Sequence, residues 1–324
     1  MRTLAALVAL LSLSACAPAP ASPANVAPVA TTAAPVAAKS PPIDDKALAV
    51  ALGVDKVETS ADGAVKATWP RTDVEVSVDG WKMAPFMGLS SWVAFTPGKQ
   101  GVAEAMIMGD LVLFEDEVNA VMSKLLDGGV SVTALHNHFL YAQPSVFFMH
   151  VGGEGKTADL ARAVKSALDQ VSALRKASPK PATVSGRARL PEKNAIDATK
   201  LDAALATKGQ TKDGMYKAVW GRDVTASCGC SVGKAMGITT WSAFGGTDDD
   251  AVVDGDFAVS EAEMQPVLKS LRGGGIEVVA IHHHMSGETP RVLFIHYWGR
   301  GTAASLAATV KKTRDLTAWS GKPS

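Results

Sequence analysis

The folded part of this chain is duplicated, and the duplication limits the fold more than any other feature. Residues 88–95 (GLSSWVAF) return as residues 237–244 (GITTWSAF), and residues 125–139 align with residues 271–285. The copies lie about 150 residues apart, which is the length of a domain, whereas solenoid repeats recur every ~20–50 residues. The sequence therefore predicts two tandem homologous domains.

The two copies occupy residues 43–175 and 196–319, joined by a polar linker at residues 176–195. Hydrophobic patterns predict the same order of elements in each copy. Strands are predicted at residues 74–78, 89–95, 105–114, 130–138 and 145–151, and at 238–244, 251–259, 276–284 and 292–298. Helices are predicted at residues 44–52, 115–126 and 157–174, and at 197–206, 261–271 and 302–316. We expect an α+β fold in which each domain is a mainly antiparallel sheet packed with helices, the two being related by a pseudo-twofold axis.

The N-terminal segment predicts export and lipid anchoring. Residues 1–15 combine a positively charged start with a short apolar stretch, which is typical of a signal peptide and too short for a transmembrane helix. Leu-Ser-Ala before Cys16 resembles a bacterial lipobox, in which the Cys thiol carries lipid; the alternative is an ordinary secretory signal with a chance Cys. Residues 17–42 contain 10 Ala and 7 Pro, so residues 16–42 are expected to form a lipidated Cys and an extended tether.

The residue after Cys16 indicates where the protein is located, and the net charge indicates which partners to expect. Position 17 is Ala rather than the Asp that retains many lipoproteins at the inner membrane, which favours the outer membrane, facing the periplasm. Lys and Arg total 32, as do Asp and Glu, so the formal net charge is zero. Proteins whose main partner is nucleic acid usually carry a basic excess. The sequence thus predicts a membrane partner through the lipid anchor and no nucleic acid.

All seven histidines fall in one duplicated motif. Six occupy equivalent positions, namely His136, His138 and His150 in the first copy and His282, His284 and His296 in the second. Two His at i and i+2 of a strand share a face, and a third His nearby completes the donors of an open three-His zinc site. The motif predicts a bound metal, zinc by default or another divalent transition metal; Met149 and Met285 beside it keep copper open. The competing interpretation is histidines at the edge of the core, bonded to backbone or carboxylate.

The spacing of the histidines imposes a geometric condition. In a tight hairpin across residues 140–143, His150 would lie opposite Thr133 and on the other face of the sheet from His136 and His138. Each triad therefore closes only through a longer, odd-numbered loop, through non-adjacent strands, or across the two copies. The sequence leaves these three arrangements open.

Matched acidic residues accompany the histidines. Asp110 and Asp256 each follow a Gly, and Glu117 and Glu263 lie on the next predicted helix. These carboxylates are candidates for a fourth ligand or a general base. The alternative is a turn at the end of a strand for the two Asp and a favourable charge at a helix N-terminus for the two Glu.

Two further features concern aromatic and sulfur side chains. Trp92 and Trp241 occupy equivalent positions and are expected in the core. Cys228 and Cys230 occur in the second copy alone, and they predict either a strained disulfide or a pair of soft-metal ligands.

These stretches resemble the LppY/LpqO family of bacterial lipoproteins, which is built from tandem copies of a domain of unknown function. The resemblance lies in residues 109–118, 129–138 and 144–153, and in second-copy equivalents that run to Phe-Ile-His-Tyr-Trp-Gly at residues 294–299. It implies an envelope location and two similar domains, and it implies no particular reaction.

The expected function follows from the histidines. The leading hypothesis is metal-dependent binding or hydrolysis, in which the enzymatic part requires a carboxylate near the open position of the metal. The alternative is a non-catalytic envelope module that binds a small ligand or a cell-wall component. The sequence leaves open whether the protein is an enzyme.

Overall fold

The computed structural model describes residues 40–184 and 186–320. The predicted signal peptide, Cys16 and the tether as far as residue 39 lie outside the described residues. Within the described part of the chain, no helix combines the length and the apolar character needed to cross a membrane.

The helices and strands follow the same order in both halves. The first half contains α1 (Asp45–Leu52), β1 (Glu58–Thr59), β2 (Val65–Pro70), β3 (Ser77–Val78), β4 (Trp81–Lys82), β5 (Ser90–Pro97), β6 (Ala105–Phe114), α2 (Glu115–Asp127), β7 (Ser131–His136), β8 (Ala142–Gln143), β9 (Val146–Gly155) and α3 (Thr157–Ala177). The second half contains α4 (Ala198–Leu205), β10 (Gln210–Lys212), β11 (Met215–Gly221), β12 (Val224–Thr225), β13 (Ser231–Val232), β14 (Thr239–Gly246), β15 (Ala251–Ser260), α5 (Glu261–Gly273), β16 (Glu277–His282), β17 (Val292–Gly301) and α6 (Ala303–Arg314). Short 3-10 helices at Pro85–Met87 and Lys234–Met236 also correspond.

Strands of both halves join into one antiparallel sheet of 12 strands. The first half contributes β1-β2-β5-β6-β9-β7, and the second continues with β16-β17-β15-β14-β11-β10. The halves meet where β7 pairs with β16 through Leu135 and Ile281, which are equivalent positions of the duplication. The second half therefore repeats the strand order of the first in reverse, and the predicted α+β fold with two pseudo-twofold-related halves is confirmed.

Amide side chains reinforce the junction with the same symmetry. Asn119 of α2 accepts a hydrogen bond from the backbone N–H of Val278 at 2.8 Å and donates one to its carbonyl at 3.3 Å. Gln265 of α5 accepts from the N–H of Val132 at 3.1 Å and donates to its carbonyl at 2.8 Å. Each amide thus completes the backbone hydrogen bonding of a strand in the opposite half. The halves meet as a homodimer fused into one chain would meet.

The described helices pack on one face of this sheet. Leu111, Leu135 and Met149 lie on that face and are buried together with the helix residues Val121 and Leu125. Because side chains alternate along a strand, the intervening residues point to the other side of the sheet. We call that side the open face. Around the histidines it carries the even-numbered residues of β6, β7, β9, β15, β16 and β17.

The predicted elements agree with this structure in most places. The strand predicted at residues 105–114 has the bounds of β6, and all six predicted helices are present. The strand predicted at residues 74–78 is wrong except for β3, which belongs to a separate three-stranded sheet with β4 and β8. Strands β2 and β11 were not predicted, although Val65 and Ala67 of β2 alternate with exposed residues and are buried.

Candidate histidine site

The two His-bearing strands of the first half are neighbours. β7 and β9 pair His136 with Phe148 and Ala134 with His150. Directly opposed residues of an antiparallel pair share a face, as do residues two positions apart. His136, Phe148 and His150 therefore all lie on the open face. The connection between the strands spans residues 137–145, an odd number, so the longer loop is the arrangement that the chain adopts.

The second half repeats this register. β16 and β17 pair His282 with Phe294 and Ala280 with His296. A β-bulge precedes the pair in each half, between Val278 and Ala280 here and at the equivalent residues of β7. Each predicted triad therefore comes together within one copy and not across the two.

The three imidazoles of each half stand side by side, with the ring of His136 or His282 in the middle. The centroid distances are 5.1 Å for His136–His138, 5.0 Å for His136–His150, 5.2 Å for His282–His284 and 4.9 Å for His282–His296. The rings are stacked or tilted against one another. Among the described residues, no three His, Cys, Asp or Glu side chains are already arranged to hold a metal ion.

In each triad a Phe ring orients the second histidine of the motif, His138 or His284. The strands end at the first His of the motif, so the predicted strands to residues 138 and 284 are wrong at their ends. The ring of His138 nevertheless returns over Phe148, with centroids 3.4 Å apart and planes at 7°. His284 stacks on Phe294 at 3.4 Å and 10°. The two Phe were not predicted as site residues, although a Phe two positions before the last His occurs in both copies.

A buried aspartate lies beside each triad. Asp110 pairs with His150 across β6 and β9, and Asp256 pairs with His296 across β15 and β17, so both carboxylates lie on the open face. Asp110 is 8% exposed and Asp256 is 2% exposed. Both lie within strands, so the strand-end turn considered for them is wrong. The Oδ1 atom of each is buried and has no hydrogen-bond partner within residues 40–184 and 186–320.

Glycine before each aspartate permits this placement. A Cβ at Gly109 would lie 2.7 Å from the Trp92 carbonyl oxygen, and one at Gly255 would lie 2.2 Å from the hydroxyl of Tyr297. A larger residue would therefore push β6 or β15 away from its neighbours. The Gly-Asp pair keeps the strands close on the helix side while it presents a carboxylate on the open face.

Burial shifts the pKa of an aspartate and of two histidines in these clusters. It raises the pKa of Asp256, against the opposing effect of the His296 and His282 imidazoles. Partial burial, together with the neighbouring His136, lowers the pKa of His138. Partial burial and His282 lower that of His284. The lowered pKa values of His138 and His284 favour the neutral imidazole, which is the form that binds metals.

The carboxylates of the two predicted glutamates are engaged by arginines. Glu117 is fully buried, accepts hydrogen bonds from Arg71 at 2.8 and 3.0 Å, and lies 3.0 Å from Nε of Arg175. Glu263 forms an ion pair with Arg222, the equivalent of Arg71. Each also accepts a hydrogen bond from the backbone N–H of the N-cap residue of its helix, Glu117 from Phe114 at 2.9 Å and Glu263 from Ser260 at 2.8 Å. This placement agrees with the alternative interpretation, in which the two Glu are favourable charges at helix N-termini.

The repeated tryptophans lie at the border of the site. Trp92 pairs with Asp110 and Trp241 with Asp256, which places both indoles on the open face. Both are half-buried, so the expectation that they lie in the core is wrong. Lys66 lies 4.6 Å above the first ring and Lys217 lies 4.3 Å above the second. Hydrophobic character alone did not reveal which face of the sheet these residues occupy.

The sulfur-containing candidates are placed elsewhere. Met149 is buried among the helix-side core residues, because it alternates with His150 along β9. Met285 packs against a separate apolar cluster that contains Val224. Cys228 and Cys230 are joined by a disulfide, so they are not a free pair of metal ligands in this structure.

Fold and site together define a duplicated α+β protein whose 12-stranded sheet carries a matched cluster of three His and one Asp in each half. The family described as Domain of Unknown Function (DUF1259) matches residues 46–170 and 199–316. The chain belongs to this family, with one match in each half, and the tandem repeat of such a domain is thereby confirmed.

The comparison with solved structures finds a trimeric bacterial microcompartment shell protein, PduB. It is 12% identical to this chain and covers 81% of this chain and 90% of its own, with a TM-score of 0.19. A likeness at that TM-score carries no argument about function. No curated protein matches the chain.

Proposed function

We propose that each half binds one divalent transition-metal ion, zinc by default, through the three histidines of its triad. The observation that carries the proposal is the buried Asp carboxylate beside each triad, whose Oδ1 atom has no hydrogen-bond partner among the described residues. Leaving such a polar atom unpaired costs about 1–3 kcal/mol, and more for a charged group. A cation held by the neighbouring imidazoles offsets that cost.

Ring geometry supports this donor set. The middle imidazole of each triad lies about 5 Å, centroid to centroid, from both of its neighbours, and a three-His zinc site requires one nitrogen of each ring at about 2.0–2.1 Å from the ion. His138 and His284 are exposed, whereas the other four rings are half-buried. A metal bound there has its remaining coordination position toward solvent on the open face.

The same arrangement contains the parts of a metal-dependent hydrolase. Three His ligands leave one position for water or substrate, and a nearby carboxylate serves as general base toward that water. Asp110 and Asp256 occupy this position relative to His150 and His296. Hydrolysis is therefore the reaction class that we propose to assay.

A non-catalytic envelope module is the second candidate. The loop that carries His138 also exposes Leu140 and Tyr141, which are 73% and 78% exposed. Exposed apolar side chains beside a site are typical of ligand contact. This hypothesis predicts a bound small molecule or cell-wall component that the protein leaves unchanged.

The proposed location is the bacterial cell envelope. The lipobox at Cys16, the Ala- and Pro-rich segment after it and the resemblance to the LppY/LpqO lipoproteins support a lipid anchor in the outer membrane, facing the periplasm. Two or three acyl chains provide stable anchoring, whereas one chain is marginal.

Metal analysis of purified, tag-free protein tests the proposal. After zinc supplementation and dialysis, we expect about two metal equivalents per chain, one for each three-His site. The double variant His136→Ala/His138→Ala should retain about one equivalent, because the second triad is intact. His283→Ala is the matched control and should retain both. Wild-type protein without bound metal after supplementation would contradict the proposal.

A further inference from the structure

We infer that the two triads form one composite site, which binds a single dicarboxylate with one carboxylate group at each metal. The inference rests on the proposed function and concerns the ligand of that site. It arises from the junction of the two halves, which places the triads on adjacent central strands of one sheet.

The strand register interleaves the two triads. Because Leu135 pairs with Ile281 in antiparallel strands, His136 lies across from Ala280 and His282 lies across from Ala134. Ala280 pairs in turn with His296 of β17, and Ala134 pairs with His150 of β9. Two parallel rows thus cross the junction on the open face. Their order is Asp256, His296, Ala280, His136 in one row and Asp110, His150, Ala134, His282 in the other.

Alanines form the floor between the histidines. Neighbouring strands lie about 4.8 Å apart, so His136 and His296 are separated by roughly 10 Å with Ala280 between them. His136 and His282 are diagonal neighbours on adjacent strands, roughly 7–8 Å apart. Ala134 and Ala280 are half-buried and have no side chain beyond Cβ. A ligand lying over the pseudo-twofold axis therefore has room to contact both triads.

Charge selects the class of ligand. A divalent cation held by three imidazoles favours the ionised form of the adjacent Asp, which leaves a net charge of about +1 in each half. One carboxylate at each metal neutralises that charge, whereas one phosphate at each metal would exceed it, since a phosphate group carries about −1.5 to −2. Two metals roughly 8–10 Å apart, each bound at about 2 Å, call for carboxylate oxygens roughly 4–6 Å apart. Short aliphatic dicarboxylates meet this requirement.

Calorimetric titration of the zinc-loaded protein tests the inference. The probes are acetate and the aliphatic dicarboxylates from malonate to suberate. We expect one dicarboxylate per chain, with an affinity that peaks at one chain length and exceeds that of acetate by at least ~100-fold, since the second contact becomes intramolecular. In His282→Ala/His284→Ala, the affinity for a dicarboxylate should exceed that for acetate by no more than about threefold.

A second variant separates bridging from metal binding. Ala134→Leu fills the floor between His150 and His282 and removes no metal ligand. It should keep two zinc ions and bind acetate as the wild type does, while its preference for dicarboxylates falls at least ~10-fold. One zinc ion retained by His282→Ala/His284→Ala shows that this variant is folded.

The outcomes distinguish the two hypotheses. Two zinc ions per chain with two dicarboxylates bound, or with affinity independent of chain length, overturn the composite site and leave the proposed function intact. Tighter binding of pyrophosphate than of every dicarboxylate overturns the carboxylate assignment. Protein that binds no zinc overturns the proposed function and the inference together.

Discussion

At the scale of single residues, the Asp beside each triad distinguishes this site from a group of surface histidines. Asp110 and Asp256 lie within strands that flank the triads on the open face, and glycine before each of them permits the close approach of neighbouring strands. Carboxylates that accept a hydrogen bond from metal-ligating imidazoles orient the rings and raise their basicity. Under the proposed metal binding, we therefore expect Asp110 and Asp256 to affect the affinity for the ion whether or not they bind it directly.

Asp256→Asn should lower the zinc affinity of the second half about 10–100-fold, because loss of a carboxylate next to ligating histidines typically has that effect. Competition titration with a chromophoric chelator measures this change. Asp249→Asn is the matched control, since Asp249 is an exposed residue in the loop before this strand, and the zinc affinity of this variant should equal that of the wild type. Equal affinities for all three proteins would argue against a role for Asp256.

Zinc should also stabilise the folded protein. A ligand that binds the native state alone adds about 2.7 kcal/mol to the free energy of unfolding at 100 times its dissociation constant. We expect a higher melting temperature with zinc than with a chelator, measured by calorimetry. The rise should be smaller in His136→Ala/His138→Ala than in the wild type. A melting temperature that zinc leaves unchanged would contradict metal binding to the native state.

At the scale of elements, each capping glutamate ties a helix to the strand next to it. Glu263 pairs with Arg222 and accepts hydrogen bonds from the backbone N–H groups of Ser260 and Ala318, at 2.8 and 2.7 Å. Burial by itself raises the pKa of Glu263, but these hydrogen bonds and the Arg222 charge outweigh it and lower the pKa below the usual 4.5. The carboxylate is thus more easily ionised in the folded than in the unfolded chain.

The stabilisation from Glu263 should therefore depend on pH in a defined direction. It is fully present above about pH 4.5, the pKa of the unfolded chain, and is lost as the pH falls through the lower folded pKa. Urea denaturation from pH 3 to 7 should show Glu263→Gln less stable than the wild type at pH 7, with the difference shrinking below about pH 4.5. A difference that is constant across this range would show that the carboxylate charge is not responsible.

The amide side chains at the junction should contribute equally from both halves. Asn119→Ala or Gln265→Ala removes two hydrogen bonds to a strand of the opposite half. Each should lower the free energy of unfolding by about 1–3 kcal/mol, because buried backbone groups lose their partners. Gln210→Ala, at an exposed edge-strand position, is the control. Urea denaturation measures the changes, and a negligible effect from either junction variant would contradict this role.

At the scale of the whole molecule, the two tandem halves share one sheet of 12 strands. The junction lies at the middle of the 12 strands, and the triads flank it on the open face.

Lipid anchoring makes a prediction for the full-length protein in its host. Cys16→Ser should release the protein from the membrane fraction or leave it as an uncleaved precursor, because the acyl acceptor is lost. Membrane fractionation followed by mass spectrometry of the mature N-terminus tests this. Cys228→Ser is the matched control and should remain in the membrane fraction. A processed Cys16→Ser variant in the membrane fraction would contradict lipid attachment at Cys16.

Local patterns were sufficient to predict much of this protein. The duplication, the order of most elements, the bounds of β6 and the repetition of the His and Asp residues follow from spacing along the chain. Alternation with a period of two and helical periodicity depend on neighbours a few residues away, so a single sequence reveals them. The repeated Phe before the last His was equally visible, but nothing local indicated that its ring supports a histidine.

The tertiary structure decided where those residues meet. Pairing of β7 with β16 joins residues far apart in the chain, and a change of one residue in strand register would move a histidine to the opposite face. Pairing of β6 with β9 placed Asp110 beside His150, whereas Arg71 and Arg175 engage Glu117. The repeated sequence determined that the chain carries two equivalent triads. The register at the junction determined that the triads lie side by side on one face of the sheet, because strand pairing depends on contacts that spacing along the chain does not encode.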